Sequence, residues 1–258
     1  MPVLLHNLTE GVLTLTLNRP QSYNAFTREL ALALQAQLDE AHSSSAVKVV
    51  VLTGGGKAFS AGQDLGELVA ENAPPMGVIL KEHFNPVVQK IRACAKPIIC
   101  AVNGVAAGAG ANIAIACDIV LASDKSSFIQ AFSKIGLIPD SGGTWTLPRI
   151  IGWQKASALM LTGDKLSAVD AERLGMVYQV IPHDELIAKT QELAARMAAM
   201  PTKAFTLTKQ ALEASVSNTF EQQLSVEDEI QFTASQTYDY GEGVRAFLEK
   251  RKPVFKGE

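Results

Sequence analysis

The sequence predicts an α/β fold that continues into a helical C-terminal region. Apolar runs recur in the first half of the chain, at residues 47–52, where Lys48 is the one polar residue, and at 97–102, and helix-like periodicity lies between them. Such runs are typical of strands covered on both faces, as in a parallel sheet. Strands that alternate with helices favour right-handed crossovers within one sheet. From Gly142 onward, helical periodicity dominates.

The elements before the first buried run follow from their periodicity. Residues 4–8 and 12–17 are predicted to form a hairpin, because residues 12–17 alternate between apolar and polar and Thr9-Glu10-Gly11 suits a turn. Thr27 is a suitable N-cap for the next helix. The apolar residues of that helix recur at helical spacing, at Leu30, Ala33, Leu34, Leu38 and Ala41.

The remaining elements complete the predicted order. After the run 47–52 we expect a glycine-containing loop at 54–66 and a helix at 78–94. The run 97–102 leads into a segment of small residues, and further strands are predicted at 118–122 and 176–181. Helices are predicted at 191–200, 202–214 and 220–235. We therefore divide the chain into a core, residues 1–195, and a C-terminal helical region, residues 196–258.

Composition excludes several classes of protein. Of the 258 residues, 47% are hydrophobic and 19% are charged, which is too apolar for a disordered chain. The net charge of -3 gives no basic surface for nucleic acid. Three cysteines are too few for a disulfide framework, and we see neither a signal-peptide pattern nor an apolar run of the ~20 residues that cross a membrane. We expect a cytoplasmic protein.

Motifs for metal binding and nucleophilic catalysis are weak. His6, His42, His83 and His183 are scattered, so we predict no metal site. The segment Asp140-Ser141-Gly142-Gly143 resembles a protease nucleophile segment, but it lies in an α/β chain and runs into a helix. Pro139 stands where the esterase motif has its first glycine. We do not predict Ser141 to be a nucleophile.

Small residues after each buried strand leave two interpretations open. Gly108 and Gly110 lack the third small residue of a dinucleotide motif, because Ile113 stands at its place. They suit close helix packing, close approach to a ligand, or both. Tight turns and helix starts also present unpaired N–H groups, and two that converge on one oxygen form an oxyanion hole.

Ordered segments along nearly the whole chain resemble one family. They are LNRP at 17–20, AFSAGQDL at 58–65, AVNGVAAGAG at 101–110, residues 136–149, LTG at 161–163 and EGVRAFLEKR at 242–251. In these segments the sequence resembles the crotonase (enoyl-CoA hydratase/isomerase) superfamily. The resemblance implies a spiral of β-β-α turns and a C-terminal helical region for trimerisation, as a homotrimer or a dimer of trimers.

The resemblance also implies a site for a CoA thioester. The backbone N–H groups of Gln63 and Ala109 would hold the thioester oxygen. Other positions that would border the CoA or acyl group are Ala25, Ala61, Gly62, Asp64, Leu65, Gly108, Phe132, Phe247 and Lys250, the last two from a neighbouring subunit. Because CoA is part of the substrate, no separate cofactor is expected.

Departures from the family pattern bear on the reaction. The positions of the two hydratase glutamates are held by Asn112 and Phe132, neither of which transfers a proton at neutral pH. One carboxylate remains nearby, Asp140, which either caps the helix that starts near Gly142 or serves as the acid/base. The segment 131–145 is similar to a subgroup of ring-epoxide isomerases of phenylacetate degradation, in which an aspartate at this position has the second role. Apolar neighbours are predicted to raise its pKa; they are Phe132, Ile135, Leu137, Ile138 and Trp145.

The predicted activity is therefore isomerisation of an acyl-CoA, with Asp140 as the catalytic residue. The substrate would be a ring epoxide of phenylacetyl-CoA, a 3-enoyl-CoA, or both. Two alternatives remain: an enoyl-CoA hydratase with an atypical acid/base pair, and a non-catalytic subunit that binds acyl-CoA.

Overall fold

A computed structural model describes residues 1–71 and 73–258. The strands are β1 (Leu4–Thr9), β2 (Val12–Leu17), β3 (Val49–Gly54), β4 (Ala58–Ser60), β5 (Ile98–Val102), β6 (Val105–Ala107), β7 (Ile119–Ser123), β8 (Ser127–Ile129), β9 (Lys165–Ser167) and β10 (Gln179–Ile181). The helices are α1 (Arg28–Ser43), α2 (Leu65–Leu68), α3 (Met76–Ile79), α4 (Asn85–Ala93), α5 (Ala109–Ala116), α6 (Gly143–Ile151), α7 (Trp153–Thr162), α8 (Ala168–Arg173), α9 (Leu186–Ala198), α10 (Thr202–Ser215), α11 (Phe220–Ser235) and α12 (Tyr238–Leu248).

The larger sheet has the strand order β1-β2-β3-β5-β7-β10. Strands β1 and β2 form the predicted antiparallel hairpin, and the other neighbours are parallel. Strand β3 is buried throughout, because its alternate residues pack into different cores. Val50 and Leu52 belong to the core that includes α1, α4 and α5, whereas Val49 and Val51 pack with α9. The uninterrupted apolar run therefore reflects helices on both faces.

A smaller sheet, in the order β4-β6-β8-β9, completes the spiral. Strands β3, β5 and β7 of the larger sheet lead directly into β4, β6 and β8 of the smaller one. Helices α2 to α4 follow the first pair and α5 follows the second. This repetition confirms the predicted α/β class with β-β-α turns.

Several predicted elements differ from those observed: the loop expected at 54–66 contains β4, and the helix expected at 191–200 is α9, which starts at Leu186. The helix expected at 78–94 contains a π-helical turn, Leu80–Phe84, between α3 and α4. Pro86 provides a physical reason, because proline cannot donate a helical hydrogen bond and its ring clashes with the carbonyl four residues earlier. The strand expected at 176–181 is limited to β10, since the Met176 N–H instead closes the turn after α8 by donating to the Ala171 carbonyl.

The C-terminal region is helical, as predicted, and α11 has the predicted bounds. The division at residue 195 stays a prediction, and α9 runs past it to Ala198. Helices α11 and α12 leave large apolar side chains exposed, among them Phe220, Phe232 and Phe247. Within the described ranges, no helix combines the length and apolar character that crossing a membrane requires.

Candidate active site

A cavity of about 150 Å³ lies where the loops after β4 and β6 meet the segment that follows β8. Its lining residues are Ala61, Gly62, Gln63, Leu65, Leu68, Met76, Ile79, Phe84, Gly108, Ala109, Ala131, Phe132, Ile135, Leu137 and Asp140. The fold thus brings together most of the residues expected to bind a thioester. They come from segments up to 79 positions apart in the chain, since Ala61 and Asp140 line the same cavity.

The first loop is shaped by hydrogen bonds that leave one donor free. The Phe26 N–H donates to the Gly62 carbonyl at 2.7 Å, and the Asp64 N–H donates to the Phe26 carbonyl at 2.9 Å. Gln63 lies between these two bonds, and within the described residues its own N–H has no backbone acceptor. This N–H is available to a ligand at the cavity wall.

The second loop brings another free donor to the same wall. Gly108 has φ +52° and precedes Ala109, the first residue of α5, whose N–H cannot have a partner inside the helix. A Cβ at Gly62, where φ is +88°, would lie 2.8 Å from the Ala107 carbonyl oxygen and 3.3 Å from the Ala109 nitrogen. The two loops can therefore approach this closely only because residue 62 is glycine.

Close packing explains the other small residue of the second loop. A Cβ at Gly110 would lie 2.7 Å from the Ser60 carbonyl oxygen. Both interpretations of the small residues thus apply here: Gly110 lets α5 pack on β4, and Gly62 and Gly108 shape the loops beside the ligand cavity.

Asp140 is half-buried at the cavity wall and does not cap a helix. Helix α6 starts after Gly142, which provides no side-chain cap. Instead, Ser141 Oγ donates to Asp140 Oδ1 at 2.8 Å. Burial raises the pKa of the Asp140 carboxyl above its ordinary range, while the Ser141 hydroxyl acts in the opposite direction. The capping alternative is therefore wrong.

The apolar surroundings of Asp140 differ in part from those predicted. Phe132, Ile135 and Leu137 line the cavity. Ile138 is 81% exposed, and the Trp145 ring lies between the guanidinium groups of Arg92 and Arg149, at 4.6 and 4.3 Å from the ring centre. Neither Ile138 nor Trp145 lines the cavity.

The positions of the hydratase glutamates carry no acid or base in this fold. Phe132 contributes an apolar ring to the cavity wall. Asn112 is 1% exposed, and its amide donates to the Asp140 carbonyl oxygen at 2.9 Å. In the described part of the chain, Asp140 is the one cavity-lining residue with an ionisable side chain.

Four of the predicted binding residues lie outside this cavity. Ala25 and Asp64 are joined by Arg19, whose guanidinium donates to the Ala25 carbonyl and to Asp64 Oδ2. Phe247 lines a separate depression among the C-terminal helices, and Lys250 follows α12 at an exposed, left-handed position. Their contacts with CoA remain predictions.

Sequence reasoning missed the residues that line the cavity on the side of α2 to α4, namely Leu68, Met76, Ile79 and Phe84. Ile79 and Phe84 are five positions apart: Ile79 directly precedes the π-helical turn, and Phe84 is its last residue. A search for α-helical spacing does not place two such residues on the same face, whereas the i→i+5 hydrogen bonding of a π turn does.

Comparisons with known proteins find relatives along nearly the whole chain. The family model described as enoyl-CoA hydratase/isomerase matches residues 7–258. The 1,2-epoxyphenylacetyl-CoA isomerase of Escherichia coli (strain K12) is 43% identical, over 100% of each chain. A protein of Rhodobacter capsulatus described as a probable enoyl-CoA hydratase is 41% identical, over 98% of this chain and 97% of that protein.

Two further relatives extend the comparison. The trans-2-decenoyl-[acyl-carrier-protein] isomerase of Streptococcus mutans is 35% identical, over 99% of this chain and 98% of that protein. The crystal structure of an enoyl-CoA hydratase from Bacillus anthracis superimposes with a TM-score of 0.95 at 32% identity, over 99% of this chain and 100% of that one.

Proposed function

The chain belongs to the enoyl-CoA hydratase/isomerase family, and from that premise we propose that it is an acyl-CoA isomerase in which Asp140 moves a proton within the acyl group. One observation carries the proposal: within the described residues, Asp140 is the sole ionisable side chain at a cavity that also contains two free backbone donors. A single carboxylate suits an isomerisation, in which the proton removed from one carbon is returned to another.

The proposed reaction starts at C2 of the thioester. Asp140 takes a C2 proton, the C–H electrons form the C1–C2 double bond, and the thioester oxygen becomes an oxyanion. The N–H groups of Gln63 and Ala109 stabilise this oxygen. For a 3-enoyl-CoA, the carbonyl then re-forms, the double bond moves to C2–C3, and C4 takes the proton back from Asp140.

Burial of Asp140 supports its role as a base. Its pKa is raised because the charged form is poorly solvated. A base of higher pKa accepts a carbon-bound proton more readily, provided that it is ionised at the working pH.

Cavity size favours a compact acyl group. The volume of about 150 Å³ is close to that of apolar cavities that hold a benzene-sized molecule. Phe84 and Phe132 are among the aromatic side chains that line it. We therefore favour a ring-bearing or short acyl group, such as ring-1,2-epoxyphenylacetyl-CoA converted to oxepin-CoA, and the 43% identical isomerase supports this choice.

Replacement of Asp140 by Asn tests the proposal. We expect the isomerisation rate to fall by about 10²–10⁴-fold, because this is the usual contribution of a general acid/base. Binding of the CoA ester should change little, since Asn has nearly the same shape. The assay compares 3-enoyl, 2-enoyl and ring-epoxide CoA esters, with Asp184→Asn, an exposed aspartate in the turn before α9, as the matched control.

Near wild-type isomerisation by the Asp140→Asn variant would overturn the assignment. The names of some relatives favour hydration as a second candidate. Rapid water addition to a 2-enoyl-CoA that survives Asp140→Asn would favour that reaction.

The exposed apolar surface of the C-terminal helices supports assembly into a homotrimer or a dimer of trimers. Phe220, Phe232 and Phe247 are 73%, 69% and 83% exposed, and large exposed apolar side chains are typical of surfaces that associate with another chain. In such an assembly, Phe247 and Lys250 would lie near the CoA of a neighbouring subunit.

A further inference from the structure

Two buried amides lie behind the turn that presents Asp140. Asn112 Nδ2 donates to the Asp140 carbonyl oxygen at 2.9 Å, and Gln130 Nε2 donates to Asn112 Oδ1 at 2.8 Å. The side chains of Asn112 and Gln130 are almost fully buried, with exposures of 1% and 3%. Together they connect α5 and the end of β8 to the peptide of Asp140.

The direction of these hydrogen bonds is dictated by the Asp140 carbonyl. A backbone carbonyl only accepts, so Asn112 must turn its NH₂ group toward it. The Asn112 oxygen then requires a donor, which Gln130 supplies. Among the described groups, Gln130 Oε1 is left without a partner.

The backbone around Asp140 requires such support. Ser141 and Gly142 have φ of +52° and +72°, and a left-handed conformation is uncommon for a residue other than glycine. Strained conformations persist where the surroundings over-determine them. Here the Asp140 carbonyl accepts two bonds, from Asn112 and from the Gly143 N–H at 2.9 Å.

Gly143 leaves the space that the Asn112 amide occupies. A Cβ at residue 143 would lie 2.2 Å from Asn112 Nδ2. The glycine is helical, so its role is to permit this close approach rather than to supply an unusual φ.

We propose that Asn112 and Gln130 are positioning residues, which hold the Asp140 peptide and thereby aim the carboxylate into the cavity. The inference rests on the proposed function, in which Asp140 removes the C2 proton. It gives Asn112 a specific role at the position where a hydratase has a glutamate: the residue supports the acid/base through the backbone and does not transfer protons.

Charged groups on the neighbouring elements do not provide this positioning. Helix α5 contains none. Lys134, in the turn after β8, extends toward Gly163, with its Cε 2.9 Å from where a Cβ would stand there, and Arg149 of α6 stacks on Trp145. The orientation of Asp140 therefore depends on neutral hydrogen bonds.

The test measures proton removal alone. Phenylacetyl-CoA in D₂O exchanges its C2 protons for deuterium when a base forms the enolate, and mass spectrometry or NMR follows the exchange. The variants Asn112→Asp and Gln130→Glu keep the side-chain size but replace an NH₂ donor by an oxygen. The Gln191→Glu variant is the matched control, because it makes the same change on α9, where Gln191 contacts Thr14.

We expect Asn112→Asp to lower the exchange rate by about 10²-fold, the usual cost of misplacing a catalytic group by about 1 Å. The Kd for phenylacetyl-CoA should stay within about threefold, because the lost support acts on the proton transfer and not on ground-state binding. Gln130→Glu should act in the same direction with a smaller effect, and Gln191→Glu should behave as the wild type.

The outcomes separate this inference from the proposed function. If the wild type exchanges its C2 protons and both variants do so at rates within about threefold of the wild-type rate, the positioning role alone is overturned. No exchange by the wild type would overturn the proposed function and this role together. If Asn112→Asp does not fold, Gln130→Glu and Gly143→Ala, which displaces the Asn112 amide sterically, carry the same test.

Discussion

One wall of the cavity acts through the backbone and the other through a side chain. Gln63 and Ala109 present N–H groups, whose positions depend on glycines and on hydrogen bonds between loops. Asp140 presents a carboxylate, whose orientation depends on Ser141, Asn112 and, through Asn112, on Gln130. The isomerisation rate should therefore change little when the Gln63 or Ala109 side chain is replaced, but it should fall when a new atom pushes the two backbone loops apart. On the Asp140 side of the cavity, by contrast, the loss of a single polar atom should already have an effect.

Among changes that leave Asp140 itself in place, the largest expected effect comes from Gly62→Ala. The new Cβ would lie 2.8 Å from the Ala107 carbonyl oxygen, at a residue with φ +88°, and would push the two donor loops apart. We expect kcat for isomerisation to fall by about 10²–10³-fold, the usual cost of losing an oxyanion donor.

Gly175→Ala is the matched control for this change. Gly175 has φ +78° but nothing within 4 Å of a Cβ, so it carries a similar backbone cost without the contact. Equal activities of the two variants would show that spacing between the loops does not matter.

An intermediate effect is expected from Ser141→Ala. The hydroxyl opposes the burial that raises the pKa of Asp140, so its loss should raise that pKa further. Because the base must be ionised, the acidic limb of the kcat/KM profile should move to higher pH. The plateau should fall by less than about tenfold, since one hydrogen bond to a charged group is lost.

The raised pKa of Asp140 also changes the free energy of unfolding with pH, in a direction that can be stated. A carboxyl whose folded pKa is raised favours the fold in its protonated form, and this contribution is lost as the pH rises through the folded pKa. In Ser141→Ala that loss should occur at higher pH, which thermal unfolding across pH would follow. Ser43→Ala, at the exposed end of α1, is the control, and an unmoved acidic limb in Ser141→Ala would argue against Asp140 as the base.

The smallest effect is expected from Gln63→Ala. The side-chain amide contacts Glu67 at 3.2 Å, while the donor assigned to catalysis is the backbone N–H, which alanine retains. We expect kcat to change by less than about threefold, in contrast with the loss expected when the donor itself is displaced. A fall in kcat of more than about tenfold would indicate that the Gln63 side chain, and not its backbone N–H, serves the reaction.

Local sequence patterns were sufficient for β1, β2, β3, β5 and the main helices, and for locating the two loops of the backbone wall, but they did not predict β4, β6, β8 and β9 of the smaller sheet. The apolar run of β3 and the helical period of α1 are each encoded in a short stretch of chain, because burial on two faces or on one stripe sets the spacing of apolar residues. The loops carrying Gln63 and Ala109 could be located because small residues follow each buried strand. The assignment of those two N–H groups to a thioester oxygen came from the family resemblance.

Only the tertiary structure decided how Asp140 is held. Sequence left its capping role open, and it counted Ile138 and Trp145 among the apolar surroundings of Asp140, whereas neither lines the cavity. It gave no sign that Asn112 contacts Asp140, 28 positions away, or that Gln130 supports Asn112. Periodicity reports which face of an element is buried, but a hydrogen bond between distant residues depends on how the elements pack. The sequence by itself thus determined the scaffold and supplied the carboxylate, and the packing of α5 against α6 decided where that carboxylate points.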